Sequence, residues 1–230
     1  MPEQIRVEIL PDRSVTALFY PGAATDRAGV TLILAPGAGA GQTSAFIVNF
    51  ATGLAARGIH VVTFNFLYSE ERRRIPDPND RLEACWRAVI AAVCERMKPD
   101  RAMLAIGGKS MGGRIASQVA AAGIADLIGL VFLGYPLHPP GRPDRLRASH
   151  LTQIEAPMLF VQGARDAFGA PDELRPIITG LKAPADLCVI EGGDHSFKVP
   201  KRSGVQQQDV YHAIQDRIAT WLRTAVKTAR

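Results

Sequence analysis

The sequence GKSMG at residues 108–112 is the stretch that decides the fold of this chain. It fits the pattern G-x-S-x-G, in which a serine sits on a tight turn between a strand and a helix. The apolar run at residues 101–106 predicts the strand, and residues 113–120 predict the helix. A serine in such a turn has a strained backbone, so its neighbours must be small enough for strand and helix to pass closely. The motif predicts that Ser110 is a nucleophile, and an ordinary tight turn is the alternative that these residues alone leave open.

Apolar segments alternate with helical patterns along the rest of the chain. Strands are predicted at residues 6–10, 15–20, 30–35, 61–66, 101–106, 127–133, 158–162 and 187–190. Further helices are predicted at residues 43–57, from a cap at Asn79 or Asp80 to residue 97, at 172–181 and at 205–225, with a loop at 67–78. This order is typical of an α/β fold with a mostly parallel, doubly wound sheet and an antiparallel N-terminal hairpin. Because no linker or repeat interrupts the pattern, residues 1–230 are predicted to form a single domain.

Two further residues complete the group that a nucleophilic serine needs. In an open α/β sheet, active residues lie at the carboxyl ends of the strands. Asp166 follows the strand at 158–162, and His195 follows the strand at 187–190. With Ser110 they give the chain order serine, acid, histidine that this motif requires. We therefore predict that His195 accepts the serine proton, while Asp166 fixes the imidazole tautomer and stabilises the imidazolium.

Acyl transfer through a serine also requires backbone amides that bind the oxyanion of the tetrahedral intermediate. The first donor is predicted to be the amide of Met111, which directly follows the nucleophile. The second is predicted to come from the small residues at 37–41, and Ala38 is the candidate. A flexible turn before the next helix is the alternative for this loop.

The composition is that of an ordinary soluble protein, with 47% hydrophobic and 21% charged residues. No apolar run approaches the roughly 18 to 20 residues that span a bilayer, and the first residues lack the layout of a signal peptide. A cytoplasmic protein with no membrane partner is therefore expected. The net charge is +5, but the basic residues are dispersed, which predicts no nucleic-acid partner. No metal-ligand spacing is present, so neither a metal nor another cofactor is expected.

With these residues in place, the chain resembles the α/β-hydrolases over nearly its whole length. The resemblance rests on the oxyanion loop at 35–39, the elbow at 108–113, Asp166 and His195. The chain is most similar to a compact branch near the dienelactone-hydrolase-like proteins. That branch includes the testis-expressed-type hydrolase-like proteins and the hydrolase-like domain of a chromatin acetyltransferase complex subunit. The sequences that carry this narrower match are GGKSMGGR at 107–114, GYPLHPPG at 134–141 and GGDHSF at 192–197.

The chain departs from two related patterns. Many esterases open the oxyanion loop with His-Gly, whereas Pro36 precedes Gly37 here. Dienelactone hydrolases carry a cysteine nucleophile, and Ser110 takes that place in this chain. The resemblance therefore implies the fold rather than a particular substrate, and it does not carry over that kind of lactone hydrolysis.

Residues between 133 and 154 leave room for only a short excursion where larger hydrolases insert a lid, so a minimal lid is expected. Phe66, Tyr68 and Met111 are predicted to contact the acyl or alcohol part of a substrate, with core packing as the equal alternative for Phe66. His138 is a further candidate for substrate binding. It belongs to a set of basic side chains around the excursion, the others being Arg142, Arg145, Arg147 and His150. These residues would suit a small ester or thioester with an anionic group, or they simply solvate a loop.

The leading hypothesis is a serine hydrolase that cleaves carboxylic esters or related acyl compounds through an acyl-enzyme intermediate. Its expected partner is a small-molecule acyl substrate. Thioesterase and peptidase activity stay open, because the same machinery serves all acyl transfers. The alternative is a catalytically idle hydrolase fold that acts as a protein-interaction module. The presence of all three triad residues favours the enzyme.

Overall fold

The computed structural model describes residues 2–23, 28–97, 103–124 and 126–229, and eight strands of this described chain form one sheet. The strands are Glu3–Leu10 (β1), Arg13–Tyr20 (β2), Thr31–Ala35 (β3), His60–Phe64 (β4), Leu104–Lys109 (β5), Leu127–Leu133 (β6), Met158–Gly163 (β7) and Ala185–Ile190 (β8). Their order in the sheet is β1-β2-β4-β3-β5-β6-β7-β8. Strands β3 to β8 are parallel, whereas β2 pairs antiparallel with both β1 and β4.

Six α-helices of the described chain connect the strands and cover both faces of the sheet. They are Ala45–Ala56 (α1), Leu67–Glu70 (α2), Asn79–Arg96 (α3), Met111–Ala121 (α4), Pro171–Thr179 (α5) and Gln207–Ala229 (α6). On one face, Phe50 of α1 and Leu222 of α6 belong to one buried cluster. On the other face, Trp86 of α3 and Ile115 of α4 belong to a second. Strands between two covered faces are buried on both sides, which explains their continuous apolar sequences.

The predicted α/β-hydrolase architecture is confirmed, with a mostly parallel sheet, an antiparallel N-terminal hairpin and helices on both faces. Strand β6 has the predicted bounds, and most other elements differ by a few residues at their ends. Strand β5 begins at Leu104 and continues to Lys109, through two glycines that the apolar pattern did not include. The first two residues of that predicted strand, 101 and 102, lie outside the described residues.

Two local expectations were wrong. The predicted loop at 67–78 begins with helix α2, because Tyr68 is buried in the core and its amide donates to Asp77 Oδ2 at 2.9 Å. Neither Asn79 nor Asp80 caps α3, whose N-cap residue is Pro78 with no side-chain cap bond. Asn79 Nδ2 instead donates to Glu83 Oε1 at 2.6 Å, one turn along the helix.

The segment between β6 and β7 is short and contains little regular structure. All its residues are described, and the regular part is a 3-10 helix at Ser149–Gln153. The carboxyl ends of the parallel strands therefore meet at an edge that no large lid covers. At that edge Ala35 of β3 pairs with Gly108 of β5, and Gly163 of β7 pairs with Ile190 of β8.

Gly107 provides a test of how closely the central strands approach. A Cβ atom at Gly107 would lie 1.9 Å from the carbonyl oxygen of Val131 on β6. Because the obstructing atom belongs to the backbone of a central strand, we expect Gly107→Ala to lower the free energy of unfolding by roughly 3 kcal/mol. Urea denaturation followed by circular dichroism measures this loss.

Gly180→Ala is the matched control. Gly180 has φ −85°, and a Cβ atom there would come no closer than 3.5 Å to its neighbours. Its unfolding free energy should change by no more than about 0.5 kcal/mol. Equal stability of Gly107→Ala and the native chain would contradict this packing of β5 against β6.

Candidate active site

Ser110 lies between β5 and α4 in a backbone conformation that few side chains adopt. Its φ is +49° and its ψ is −117°. Its amide donates to the carbonyl of Leu133 at 3.1 Å, and its carbonyl accepts the amide of Arg114 at 3.0 Å. A positive φ at a residue with a side chain costs about 1–3 kcal/mol and persists only where the surrounding structure enforces it. The turn presents Ser110 to a cleft at the carboxyl edge of the sheet.

The two glycines of the motif are explained by contacts with the backbone around the end of β3. A Cβ atom at Gly108 would lie 2.6 Å from the carbonyl oxygen of Ala35. A Cβ atom at Gly112 would lie 2.5 Å from the carbonyl oxygen of Pro36. Both distances are too short for real atoms, so any larger residue would displace β3 or α4 and move Ser110 with it.

Asp166 and His195 meet directly. His195 Nδ1 lies 2.7 Å from Asp166 Oδ2 and 2.9 Å from Oδ1. The Asp166 side chain is fully buried, while that of His195 is 21% exposed. The amide of Phe168 also donates to Asp166 Oδ1, at 2.9 Å. Since a carboxylate only accepts hydrogen bonds, Nδ1 carries the imidazole proton and Nε2 is the basic nitrogen.

The basic nitrogen of His195 is not engaged by any other group of the described chain. Nε2 is buried and has no hydrogen-bond partner in the part of the chain that the structure describes. Ser110 and His195 both line the same cleft, yet no hydrogen bond joins their side chains. The structure thus brings the three predicted triad residues to one site, with the histidine–aspartate contact formed and the serine contact unformed. Catalytic hydrogen bonds are often long in unliganded enzymes and tighten when substrate binds.

Gln162 is a site residue that the sequence reasoning missed. It ends the apolar sequence of β7 and is fully buried. Its Nε2 donates to Asp166 Oδ2 and to the carbonyl of Gly169, both at 2.8 Å, and its Oε1 accepts the amide of Tyr135 at 2.8 Å. Gln162 therefore holds the carboxylate that in turn orients His195. The only signal in the sequence was an amide at the end of an otherwise apolar strand.

Lys109, directly before the nucleophile, was also missed. Its side chain is buried, with the whole residue 8% exposed. Its Nζ donates to the backbone carbonyl of His195 and lies 5.7 Å and 5.9 Å from the ring centroids of Phe46 and Phe197. The lysine therefore joins the strand of the serine to the loop of the histidine. A lysine before a turn has no local pattern that predicts this burial.

The cleft has a volume of about 670 Å³, and both predicted oxyanion residues line it. Met111 is the first residue of α4, where a helix leaves its amides without intrahelical acceptors. Ala38 lies in the loop after β3. The buried side chain of Gln42 anchors this loop by donating to the Thr16 carbonyl at 3.0 Å and accepting from Thr63 Oγ1 at 3.2 Å. These bonds tie the end of the loop that carries Ala38 to β2 and β4.

The structure does not bring Phe66, Tyr68 and His138, the side chains predicted to contact substrate, to the cleft. Phe66 and Tyr68 follow β4 into the apolar core, because burial removes their rings from water. The Tyr68 hydroxyl accepts the amide of Gly39 at 3.2 Å, so it supports the loop that carries Ala38. His138 is buried between the Pro139 carbonyl, at 2.8 Å, and the Glu173 carboxylate, at 3.1 Å.

The apolar walls of the cleft come from other residues. Of the apolar side chains predicted to contact substrate, Met111 lines it, and further apolar side chains are Phe46, Ile47, Leu82 and Phe168. The ring of Phe168 lies 4.3 Å from that of His195, centroid to centroid. Phe168 therefore packs against the imidazole and also lines the cleft.

Comparison with known proteins places this geometry in a family. The family model described as alpha/beta hydrolase domain matches residues 28–223. The chain belongs to the alpha/beta hydrolase domain family. The predicted resemblance to the α/β-hydrolases is confirmed.

Solved structures similar to this family member share its fold. An α/β serine hydrolase homologue from Coxiella burnetii is 20% identical, with a TM-score of 0.71 and 96% of each chain covered. An α/β serine hydrolase without a lid from Xanthomonas campestris is 21% identical, with a TM-score of 0.72, and the match covers 96% of this chain and 94% of that one. Dienelactone hydrolase from Anabaena variabilis is 18% identical, with a TM-score of 0.72 and 96% of each chain covered.

The described part of this family member offers neither a metal site nor a membrane-spanning helix. Among the described residues, no three His, Cys, Asp or Glu side chains are grouped so that they could hold a metal ion. None of the helices within residues 2–23, 28–97, 103–124 and 126–229 is both long and apolar enough to cross a membrane.

Lys109 makes the stability of the chain depend on pH. Burial lowers the pKa of Lys109 from 10.5 to about 8, although two neighbouring aspartates act in the opposite direction. The unfolded chain therefore binds this proton more tightly than the folded chain does. The free energy of unfolding should rise as the pH increases from about 8 to about 10.5, and this gain should be lost as the pH falls back to about 8. The change corresponds to about 3 kcal/mol at most. Lys109→Met removes the titrating group and with it this pH dependence.

The measurement is urea denaturation of both proteins between about pH 7 and pH 10.5. Other titrating groups cancel in the difference between them, so the native chain should gain stability relative to Lys109→Met as the pH rises. A difference that stays constant across this range would show that the ammonium group is not buried as described.

Proposed function

We propose that this chain is a serine hydrolase that cleaves carboxylic esters or related acyl compounds. Membership of the alpha/beta hydrolase domain family supports hydrolase chemistry in general. The observation that carries the proposal is the state of His195. Its Nδ1 is held by the buried carboxylate of Asp166, its Nε2 has no partner among the residues that the structure describes, and both His195 and Ser110 line the cleft.

Each residue has a defined role in the proposed reaction. His195 Nε2 takes the proton from Ser110 Oγ as the oxygen attacks the carbonyl carbon, which gives a tetrahedral intermediate. The imidazolium then protonates the leaving oxygen or sulfur, whose bond to the acyl carbon breaks and leaves the acyl group on Ser110. Water repeats the sequence, so that the acid is released and Ser110 is restored. Asp166 stabilises the imidazolium at both stages without taking its proton.

The oxyanion of each tetrahedral intermediate needs donors that are already in place. The amides of Ala38 and Met111 are the proposed donors, and both residues line the cleft. The amide of Met111 also lies at the N-terminus of α4, where the helix dipole favours negative charge. Loss of one such donor typically raises the reaction barrier by roughly 3 kcal/mol.

The size of the cleft supports a small-molecule substrate. Its volume of about 670 Å³ falls within the range of roughly 300–1,000 Å³ that is common for such sites. Its walls combine the apolar side chains described above with polar groups at Ser110 and His195. An ester panel of increasing acyl length, run beside thioesters and peptides, would separate these substrate classes.

Ser110→Ala tests the nucleophile directly. Because triad residues act as a unit, this variant should lose at least about a thousandfold in kcat and should no longer react with a fluorophosphonate probe. Ser44→Ala is the matched control, since Ser44 lines the same cleft and its Oγ has no partner among the described residues. The control should keep both labelling and hydrolysis.

Absence of labelling and of hydrolysis in the native chain, across short and long esters and thioesters, would reject the enzyme. The interaction-module alternative would then stand. Labelling that persists in Ser110→Ala would instead show that another residue reacts with the probe.

A pH profile tests the role of His195. If its neutral imidazole is the base, kcat/KM measured from about pH 5 to pH 8 should rise with pH and then level off, because protonation of the imidazole removes the base. Initial rates on a short-chain ester at low substrate concentration give this profile. A rate that is flat across the same range would contradict general-base catalysis by histidine.

A further inference from the structure

Two arginines line the same cleft as Ser110. Arg114 lies in the second turn of α4, and Arg147 lies in the segment between β6 and β7. Both residues are partly buried. The backbone of Arg147 is fixed, because its amide donates to the Leu137 carbonyl and its carbonyl accepts the Tyr135 hydroxyl, both at 2.8 Å. The two cationic side chains therefore come from different elements and converge on one cavity.

The charges of these arginines are not balanced by ion pairs within the part of the chain that the structure describes. Arg114 Nη1 makes two long contacts with neutral amide oxygens, Asn79 Oδ1 and Gln118 Oε1, each at 3.4 Å. Within the described chain, neither Arg114 nor Arg147 has a carboxylate within the 4.0 Å of an ion pair. Burial lowers the pKa of Arg114, and the positive charge of Arg147 lowers it further, while Tyr135 and Glu83 act in the opposite direction. Two like charges held close together at partial burial are costly unless an anion joins them.

The carboxylates near this part of the cleft are already engaged. Asp77 lines the cleft, but its Oδ1 accepts from Arg73 at 2.7 Å and its Oδ2 accepts the Tyr68 amide at 2.9 Å. Glu83 Oε1 accepts a hydrogen bond from Asn79 Nδ2, and Glu83 Oε2 forms an ion pair with Arg87 Nη2 at 3.8 Å. Among the described residues, therefore, no carboxylate forms an ion pair with either arginine.

Arg114 lies close to the reaction centre at Ser110. Arg114 follows Ser110 by one helical turn, a rise of about 6 Å along α4. An anionic group at Arg114 would therefore lie a few bonds from an acyl carbon at Ser110. The guanidinium fork binds planar carboxylates through two parallel hydrogen bonds, which fixes orientation as well as charge.

We propose that Arg114 and Arg147 form a subsite for a carboxylate on the substrate, so that the preferred substrate is an ester or thioester of a dicarboxylic acid. The inference rests on the proposed function and names the substrate class of that same cleft. Of the basic side chains singled out in the sequence, the subsite uses Arg147 alone. Arg142 pairs with Asp144 at 3.2 Å, and His150 Nε2 bonds Ser117 Oγ at 2.8 Å.

The substrate test compares two esters that differ only in charge. p-Nitrophenyl hemiadipate carries the free carboxylate, and its methyl ester has the same chain with the charge masked. We expect kcat/KM for the hemiadipate to exceed that for the masked ester at least tenfold. The background rate is taken from Ser110→Ala, and the comparison in the native chain needs no arginine variant to fold.

The arginine variants assign the preference to its residues. Arg114→Gln and Arg147→Gln should each lower the ratio of the two kcat/KM values about tenfold, and the double variant should remove the preference. Arg145→Gln is the matched control, because Arg145 is exposed on the same segment and does not line the cleft. It removes the same charge and should leave the ratio unchanged. An equal fall of the ratio in Arg145→Gln would mean that net charge, not the subsite, attracts the anion.

A binding measurement separates this inference from the proposed function. Calorimetric titration of Ser110→Ala with adipate and with inorganic phosphate reads the subsite without catalysis. Adipate binding that disappears in Ser110→Ala/Arg114→Gln supports the subsite, even if the native chain hydrolyses neither ester. Hydrolysis of both esters at equal rates, with no adipate binding, overturns the subsite and leaves the hydrolase intact. Binding of phosphate but not adipate overturns the carboxylate assignment.

Discussion

The close contact of α4 with the backbone around the end of β3 is the constraint on which the rest of the site depends. Gly108 and Gly112 allow this contact because a Cβ atom at either position would overlap a carbonyl oxygen. The chain must then turn sharply at Ser110, whose positive φ is enforced by the packing on both sides. The two buried clusters on the faces of the sheet offset the strain of this turn. The nucleophile is therefore positioned by backbone packing rather than by hydrogen bonds to its hydroxyl.

The histidine is positioned by a different means, a network of buried polar groups. Asp166 holds the ring at Nδ1, Gln162 holds Asp166, and Lys109 holds the backbone carbonyl of His195. Buried polar groups that are fully paired make a site rigid, whereas an unpaired one is costly. In this network, the atom without a partner among the described residues is Nε2 of His195, a residue that lines the cleft together with Ser110. The unsatisfied hydrogen bond is thus placed where a substrate or the serine hydroxyl can complete it.

The order of strands and helices and the meeting of Asp166 with His195 could be predicted from the sequence, because topology sends every parallel strand end to one edge. The directions in which individual side chains point could not be predicted in the same way. The burial of Tyr68 depends on contacts with residues distant in the chain. The local sequence therefore predicts neither helix α2 nor the position of the Tyr68 ring outside the cleft. Lys109 and Arg114 illustrate the same limit. Both read as ordinary polar residues beside a motif, and only the fold shows that one is buried and the other faces the cleft.

Charge is distributed unequally along the cleft, and this has a consequence for how a substrate would lie. At one end lies the Asp166 carboxylate, which accepts a hydrogen bond from the His195 imidazole and interacts with the nearby Lys109 ammonium. At the other, the charges of Arg114 and Arg147 have no counter-ion in the described chain. A substrate anion placed among the arginines gains two charge-assisted contacts, whereas the reverse orientation would bring it towards the Asp166 carboxylate. No large lid encloses the substrate. In the proposed subsite, the fixed charges of the two arginines would orient the substrate, as lid closure does in other enzymes.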